Sequence, residues 1–249
     1  MPRNEDNIEN RQSILTASVI LGVAFVIGMA IFGYFFYLSR LPQKSLSVTG
    51  SARELVISDV ARWSSNYSVK VSETKLNQGF RLMKEYEKKV LETFRRNGID
   101  DEETSLSAIS VTELYVEPGQ DTERQYVLTQ YIDVQTNDVE GIAEKVKNIT
   151  QEILDLGVAF QANFVEYYYS KLAEKRVQLL SSAMKDARRR AEEIAKSGGL
   201  KVGKVLSAKS GVVQVLAPNS VEVSDYGTYD TSTKEKEIMV TVNVTFEAK

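Results

Sequence analysis

The chain has 249 residues and contains neither cysteine nor histidine. It therefore has no disulfide, thiolate nucleophile, Ser–His pair, haem ligand or standard zinc site of its own. Its formal net charge is −3, without the basic surplus that nucleic-acid binding requires. We accordingly predict no nucleic-acid partner, no cofactor and no metal site.

The first predicted element is an apolar run at 14–38 that carries no charged residue. As a helix it extends about 37 Å, enough to cross a hydrocarbon core of about 30 Å with some tilt. A buried core helix or a cleaved signal peptide are the alternatives, but the run is long and ends in bulky residues. We predict an uncleaved anchor at 14–38, a short cytoplasmic tail at 1–13, a stalk at 39–44 and an exported domain at 45–249.

Alternation of apolar and polar residues predicts strands in the exported part, at 46–49, 63–71, 106–116, 126–135, 160–168, 202–216 and 238–246. Helical spacing followed by glycine predicts helices at 72–97, 138–156 and 170–197. A hairpin connection is predicted at 117–121. The polar stretch 217–236 shows no apolar periodicity, and a connection of that length is either a mobile loop or an interface.

Strands and helices are mixed without strict alternation, which favours the α+β class. We predict two layers, with helices packed on largely antiparallel sheets, preceded by one N-terminal transmembrane helix. The order of elements is similar in the two halves of the domain. This similarity predicts possible lobes at 45–136 and 137–249.

Three motifs approach catalytic or metal-binding patterns, and each lacks a required feature. The segment 198–205 falls one residue short of a P-loop, because Val205 stands where serine or threonine would hold magnesium. Ser182 and Lys185 match Ser-x-x-Lys without the companion motifs of an acyl enzyme. The acidic turn 100–103 lacks the glycine and the ligand spacing of an EF-hand. We therefore predict a protein that is not an enzyme.

Alanine recurs at every fourth position of the predicted helix 170–197, in a narrow stripe that allows close approach to a sheet. A glycine-rich turn follows this helix. The residues concerned are Ala183, Asp186, Ala187, Ala191, Ile194, Ala195, Gly198, Gly199, Leu200, Val202, Gly203 and Val205. Further matching residues are Leu46, Val48, Gly50, Asn77, Gly98, Ile99, Thr104, Tyr131, Asp133, Val134, Val240, Val242, Val244 and Phe246. Their order and spacing resemble the SIMPL domain family over essentially 45–249.

This resemblance implies an α+β fold, an exported or envelope-associated bacterial location and frequent self-assembly into a ring. It carries over no catalytic residue, because none is established for the family. The chain departs from the family pattern at Ser51–Ala52 and at Ser58–Asp59. There the first strand of the family usually continues into further glycine and then a proline.

Tyrosines are the candidate interaction residues: Tyr167, Tyr168 and Tyr169 end a predicted strand, and Tyr226 and Tyr229 lie in 217–236. For the first three, packing and an exposed partner patch both remain open.

The leading hypothesis is a non-enzymatic, single-pass protein of the bacterial inner or cytoplasmic membrane, with its C-terminal domain outside the cytoplasm. That domain would oligomerise through a sheet edge and 217–236, in scaffolding or stress tolerance. Its partners would be the membrane, further copies of the chain and other envelope proteins. The alternative is an extracytoplasmic binding module for a peptide, glycan or lipid, with an apolar pocket lined by the tyrosine-rich strand.

Overall fold

The computed structural model describes residues 5–39, 44–115 and 123–249. The predicted hairpin loop 117–121 and most of the predicted stalk lie outside the described residues. The first element is helix α1 (Glu5–Ser39), which contains the apolar segment Leu15–Ser39 with a mean hydropathy of 2.5. Among the described helices, it is the one long and apolar enough to cross a membrane, and none of that segment is buried.

Sheet 1 combines the first strand of the domain with its last four. The elements are β1 (Ser45–Ile57), α4 (Leu172–Ser197), β7 (Val202–Ser210), β8 (Gln214–Leu216), β9 (Thr228–Tyr229) and β10 (Glu235–Ala248), and α4 packs on one face. The strand order is β1-β10-β8-β9, and β7 lies beside β8 on the same side of β10. All pairs are antiparallel except β8 with β9.

Sheet 2 is built from the chain between β1 and α4. The elements are β2 (Val60–Ser72), α2 (Leu76–Arg96), β3 (Thr104–Leu106), β4 (Ser110–Leu114), β5 (Gln125–Thr136), α3 (Ile142–Asp155) and β6 (Ala159–Tyr168). The strand order is β3-β5-β2-β6, and β4 also pairs with β5. All of these pairs are antiparallel. Both helices cover the same apolar face of the sheet.

Trp63 lies at the centre of the core between sheet 2 and its helices. Its ring centroid is 5.3 Å from that of Phe94 on α2 and 6.0 Å from that of Phe160 on β6. Alternate residues of β2, including Tyr67, face the same core, while their neighbours face solvent in part. Each large side chain buried in this way contributes about 1.5–3 kcal/mol.

The contact between sheet 1 and α4 is closest at Gly50 of β1. A Cβ atom at this position would meet the backbone oxygen of Ala183 and would lie 2.7 Å from the Cβ of Ala187. Both alanines are fully buried. The prediction that the alanine stripe lets this helix approach a sheet closely is therefore confirmed.

The α+β class, with helices layered on largely antiparallel sheets, is confirmed. Two predicted strands are each divided, however. The strand predicted at 106–116 becomes β3 and β4. At Ser107 the backbone N–H still donates to the Tyr131 carbonyl at 2.9 Å, but the Tyr131 N–H donates to the Ser107 hydroxyl at 3.0 Å. The strand predicted at 202–216 becomes β7 and β8 around Gly211, whose N–H donates to the Thr241 carbonyl at 2.9 Å.

Each sheet takes strands from both possible lobes, 45–136 and 137–249. Strand β1 leaves the first half of the chain to pair with β10 along its whole length, from Ser45 opposite Glu247 to Ile57 opposite Glu235. The chain then crosses to sheet 2 at Ser58. The sheets therefore do not follow the predicted division.

Replacing Gly50 with alanine tests the contact between β1 and α4. We expect G50A to lower the free energy of unfolding by about 1–3 kcal/mol, because the added methyl group overpacks a backbone contact. Urea unfolding of the full chain in detergent, followed by circular dichroism, measures this change. G198A is the matched control, since its added Cβ would lie 3.6 Å from the nearest atom. Equal midpoints for the two variants would contradict the close contact.

Candidate functional site

The structure brings four of the five predicted tyrosines together, where the end of β6 meets β9. The ring centroids of Tyr168 and Tyr229 are 5.8 Å apart, and the Tyr169 N–H donates to the Tyr229 hydroxyl oxygen at 2.8 Å. Tyr167 is buried, while Tyr226 is 96% exposed and lies on the loop before β9. The four clustered tyrosines thus contribute to the junction between the sheets. A partner for any of the five stays a prediction.

Asp59 ties the crossing between the sheets to the start of α4. Its carboxylate accepts the Ser170 N–H at 2.7 Å and the Ser170 hydroxyl at 2.6 Å, and its own N–H donates to the Tyr168 carbonyl at 3.0 Å. Burial acts to raise the pKa of Asp59, but the Ser170 hydrogen bonds outweigh it and hold the pKa below its usual value. One of the two departures from the family pattern therefore has a structural role here.

Lys236 fixes the segment before β10 from inside the protein. Its side chain is 0% exposed, and Nζ donates to the carbonyl oxygens of Asp230 at 2.5 Å and Thr233 at 2.8 Å. Burial lowers the pKa of this ammonium group, and the Asp230 carboxylate 3.7 Å away opposes that shift. A buried charge persists where it is paired and hydrogen-bonded. The segment 230–236 is therefore held in one conformation.

The loop 217–227 is also held in place, yet it presents apolar side chains to solvent. The buried amide of Gln214 donates to the Ser224 carbonyl at 2.5 Å and accepts the Ser224 N–H at 3.4 Å. Val221 is 89% exposed and Val223 is 60% exposed. These bonds fit a loop that is held in place better than a mobile one, and an interface at this loop stays a prediction.

Strand β7 forms an open edge of sheet 1, and the loop lies against the connection between β7 and β8, where Gly227 faces Val212 and Val213. It pairs with β10 on one side, and every residue from Lys204 to Ser210 is exposed. Neighbouring residues of a strand point to opposite faces, so neither face of this stretch is covered. Val205 and Leu206 are among the exposed side chains. We name β7 from Lys204 onward, together with the loop 217–227, the open edge.

The opposite edge of sheet 1 is partly closed by α4. The Ala248 N–H donates to the Lys44 carbonyl at 2.8 Å, so the backbone of Lys44 faces β10. In an antiparallel ladder every second residue faces the partner strand. The Ser51 N–H, seven residues further on, therefore points away from β10. Asp186 accepts that N–H at 3.0 Å and also contacts Arg189 and Arg190 at 2.6 and 2.7 Å. The Ser51 N–H, with both guanidinium groups, holds the pKa of Asp186 below its usual value. A capped N–H is no longer free to pair with another strand.

A family model matches this fold across both sheets. The family is SIMPL, described as a protein of unknown function (DUF541), and the match covers residues 46–246. The chain belongs to the SIMPL family. The match begins in β1 and ends in β10, so the SIMPL domain includes the open edge, whereas α1 lies outside it.

No curated protein matches this SIMPL chain. Among solved structures, it is similar to the de novo designed protein Foldit4, with 15% identity and a TM-score of 0.24, over 43% of this chain and 94% of that one. It is also similar to an amidase of the hydantoinase/carbamoylase family from Burkholderia multivorans, with 12% identity and a TM-score of 0.24, over 48% of this chain and 29% of that one. A third similar structure is a tripeptidase from Staphylococcus aureus subsp. aureus mu50, with 13% identity and a TM-score of 0.22, over 60% of this chain and 36% of that one. These TM-scores carry no argument about fold or function.

The described part of the SIMPL chain contains no group of three or more acidic side chains that could hold a metal ion. Three of its open clefts have volumes of about 460–500 Å³. One of them is lined by Lys89, Glu92, Arg95, Arg96 and Leu156, and no tyrosine lines any of the three. The alternative of a binding module with a tyrosine-lined pocket therefore stays a prediction that no observation here favours.

Two structurally important residues were not identified by sequence reasoning. The sequence predicts Lys236 as the last residue of the polar stretch 217–236, which lacks apolar periodicity, and lysine is rarely buried. The sequence does contain a signal for the burial of Lys236, because this residue continues the two-residue period of the buried Ile238 and Val240. Asp186 was noted in the family motif, but its bond to a strand 135 residues away in sequence required the tertiary structure.

The charge of Asp186 makes stability depend on pH. Because its pKa is lower in the folded state, its contribution is complete above the unfolded value of about 3.9 and is lost as the pH falls through the folded value. At neutral pH we expect D186A to lower the free energy of unfolding by about 1.5–3 kcal/mol, and D186N by less, because asparagine retains an acceptor.

Urea unfolding at a series of pH values measures this effect. The difference between the wild type and D186N should disappear on acidification, whereas the exposed control E102Q, outside the open edge, should match the wild type throughout. A D186N difference that stays constant down to strongly acidic pH would contradict the role of the charge.

Proposed function

We propose that this SIMPL-family chain is a single-pass membrane protein of the bacterial envelope that self-associates through its open edge outside the cytoplasm and serves as a non-enzymatic scaffold. The observation that carries the proposal is the exposure of β7 on both faces and along its edge, beside an anchored apolar loop. Monomeric proteins usually cover or blunt such edges. An exposed apolar surface that the fold holds in place is typical of an interface.

The anchor is supported by the length and composition of Leu15–Ser39. A signal sequence passes the same test of length and composition. The bulky residues at the end of the segment favour retention, since cleavage sites need small residues. A retained anchor would confine copies of the domain to one surface and so raise their effective concentration.

A second copy of the chain is the partner that suits the open edge. Strand β7 contributes Lys204 and Lys209, and the loop contributes Glu222 and Asp225, all outside the ion pairs of the described residues. Copies placed edge to edge can therefore pair lysines with carboxylates. The uncharged run between the two lysines supplies backbone groups for strand pairing.

Proline at position 208 tests strand pairing. The Gly211 N–H donates to the Thr241 carbonyl of β10. Because every second residue of an antiparallel strand faces its partner, residues 209 and 207 also face β10. The Ala208 N–H therefore points outward. We expect A208P to raise the dissociation constant of the oligomer about tenfold, because an outward donor is lost while the internal ladder remains. Light scattering of the full chain in detergent, over a range of concentrations, measures this. A208T keeps the N–H and should behave as the wild type.

The loop is tested in the same assay with V221D/V223D, which places charge in the proposed contact. V177D is the matched control, since Val177 is an exposed valine on α4, away from the open edge. We expect the double variant to dissociate and the control to remain associated. A wild-type chain that stays monomeric at every concentration would refute self-association.

Single cysteines test the membrane arrangement, because the chain has none of its own. With a membrane-impermeant maleimide on intact bacterial cells, we expect K147C, which is exposed on α3 and lies outside the open edge, to be labelled, and D6C to be labelled only after the cells are opened. The chain should also float with membranes after an alkaline wash. The reverse labelling pattern would overturn the orientation, and a chain released by the wash would overturn the anchor.

A further inference from the structure

The end of sheet 1 nearest the anchor brings together lysines that are far apart in sequence. Lys201 and Lys249 exchange both backbone hydrogen bonds, at 2.7 and 2.8 Å, and Lys44 accepts from the neighbouring Ala248. Three adjacent strand ends therefore carry lysine. All three side chains are exposed. We name Lys44, Lys201 and Lys249 the proximal lysines.

The pairing of Lys201 with Lys249 is unfavourable in the isolated domain. Two residues that exchange both hydrogen bonds lie directly opposite, so their side chains share one face with Cβ atoms about 4.5–5.5 Å apart. Like charges in this arrangement repel each other. Glu247 relieves part of the repulsion, because its carboxylate lies 3.4 Å from Lys249 Nζ. Among the described residues, Lys44 and Lys201 form no ion pair.

The last turn of α4 reaches the same end of the sheet. The Gly199 N–H donates to the Lys196 carbonyl at 3.2 Å and the Leu200 N–H to the Ala195 carbonyl at 2.8 Å, which ends the helix directly before Lys201. Lys196 adds a fourth exposed cation, and Leu200 is 40% exposed. Glu193 is the acidic residue in this turn. Positive charge therefore exceeds negative charge here, although the whole chain is acidic.

The chain itself places this end close to a bilayer. Lys44 follows Ser39, the last residue of α1, by five positions, so the two lie at most about 18 Å apart along the chain. This distance is a maximum, so Lys44 can come within one Debye length of the headgroups, which is about 8 Å at physiological salt. Exposed lysines beside an apolar side chain, next to a spanning helix, have the chemistry that attracts acidic lipid headgroups.

We infer that the proximal lysines dock on a membrane surface rich in anionic phospholipid and so fix the angle at which the domain stands on its anchor. This inference rests on the proposed function in one respect, the retained membrane anchor. Docking would leave the open edge exposed, because β7 runs away from this end of the sheet. Copies docked alike would present their open edges at the same height above the bilayer.

The test uses the full chain reconstituted in vesicles of phosphatidylcholine, with or without phosphatidylglycerol. A donor dye on S197C, at the end of α4, reports energy transfer to acceptor-labelled lipid headgroups. We expect higher transfer with phosphatidylglycerol, lost at about 0.5 M NaCl because salt screens the charges. Each Lys→Gln change at positions 44, 201 and 249 should lower the ratio of docked to undocked domain about fivefold.

The triple variant K70Q/K84Q/K147Q is the matched control, since it removes the same charge from exposed lysines of the sheet 2 layer. Docking predicts that K44Q/K201Q/K249Q loses the dependence on lipid and the control keeps it. Equal transfer in both lipids, or equal loss in both variants, overturns the inference. Flotation after an alkaline wash separates the two proposals. Vesicle-bound chain without lipid dependence refutes docking alone, whereas released chain refutes the anchor and docking together.

Discussion

The close contact between Gly50 of β1 and the alanine stripe of α4 constrains the rest of the SIMPL domain. No side chain separates strand from helix there, so their backbones meet at Ala183 and Ala187. A helix held this near one strand cannot be centred over a wide sheet. It covers β1 and β10, and β7 beyond Gly203 is left bare.

The two edges of sheet 1 therefore differ in character. On one side, Asp186 reaches from α4 to a strand N–H that would otherwise face a neighbour. On the other side, β7 and the loop after β8 present unpaired backbone and apolar side chains. In the self-association that we propose, such a sheet would favour association in one direction, and a retained membrane tether would restrict the copies to one plane.

The junction between the sheets keeps this arrangement rigid. Asp59 links the crossing to α4, and the buried Lys236 holds the segment before β10. Both residues satisfy backbone groups that have no partner in either sheet. The buried lysine thus fixes the segment 230–236, whereas Gln214 holds the loop beside β7 through Ser224. Most of the predicted tyrosines belong to this junction, where intramolecular contacts account for them.

Sequence patterns were reliable where one local rule acts along a segment. The alternation in β10 and the four-residue alanine period in α4 predicted both elements and the side each one buries. Prediction was weaker where a partner strand sets the outcome. At each break, three residues face two on the partner strand: 107–109 opposite 130–131, and 211–213 opposite 240–241. The local pattern does not contain this mismatch with the partner strand. The burial of Lys236 depends on two carbonyls that the chain supplies after folding.

By itself, the sequence determined the class of fold, the length and apolarity of the N-terminal helix, the absence of cysteine and histidine chemistry, and membership in the SIMPL family. The tertiary structure decided which edge of sheet 1 is partly closed, which is open, and which lysines lie side by side at one end of that sheet. The reason is that composition and periodicity are local properties of the chain. Edges and charge clusters arise from pairing between β1, β7 and β10, which lie at opposite ends of the domain sequence.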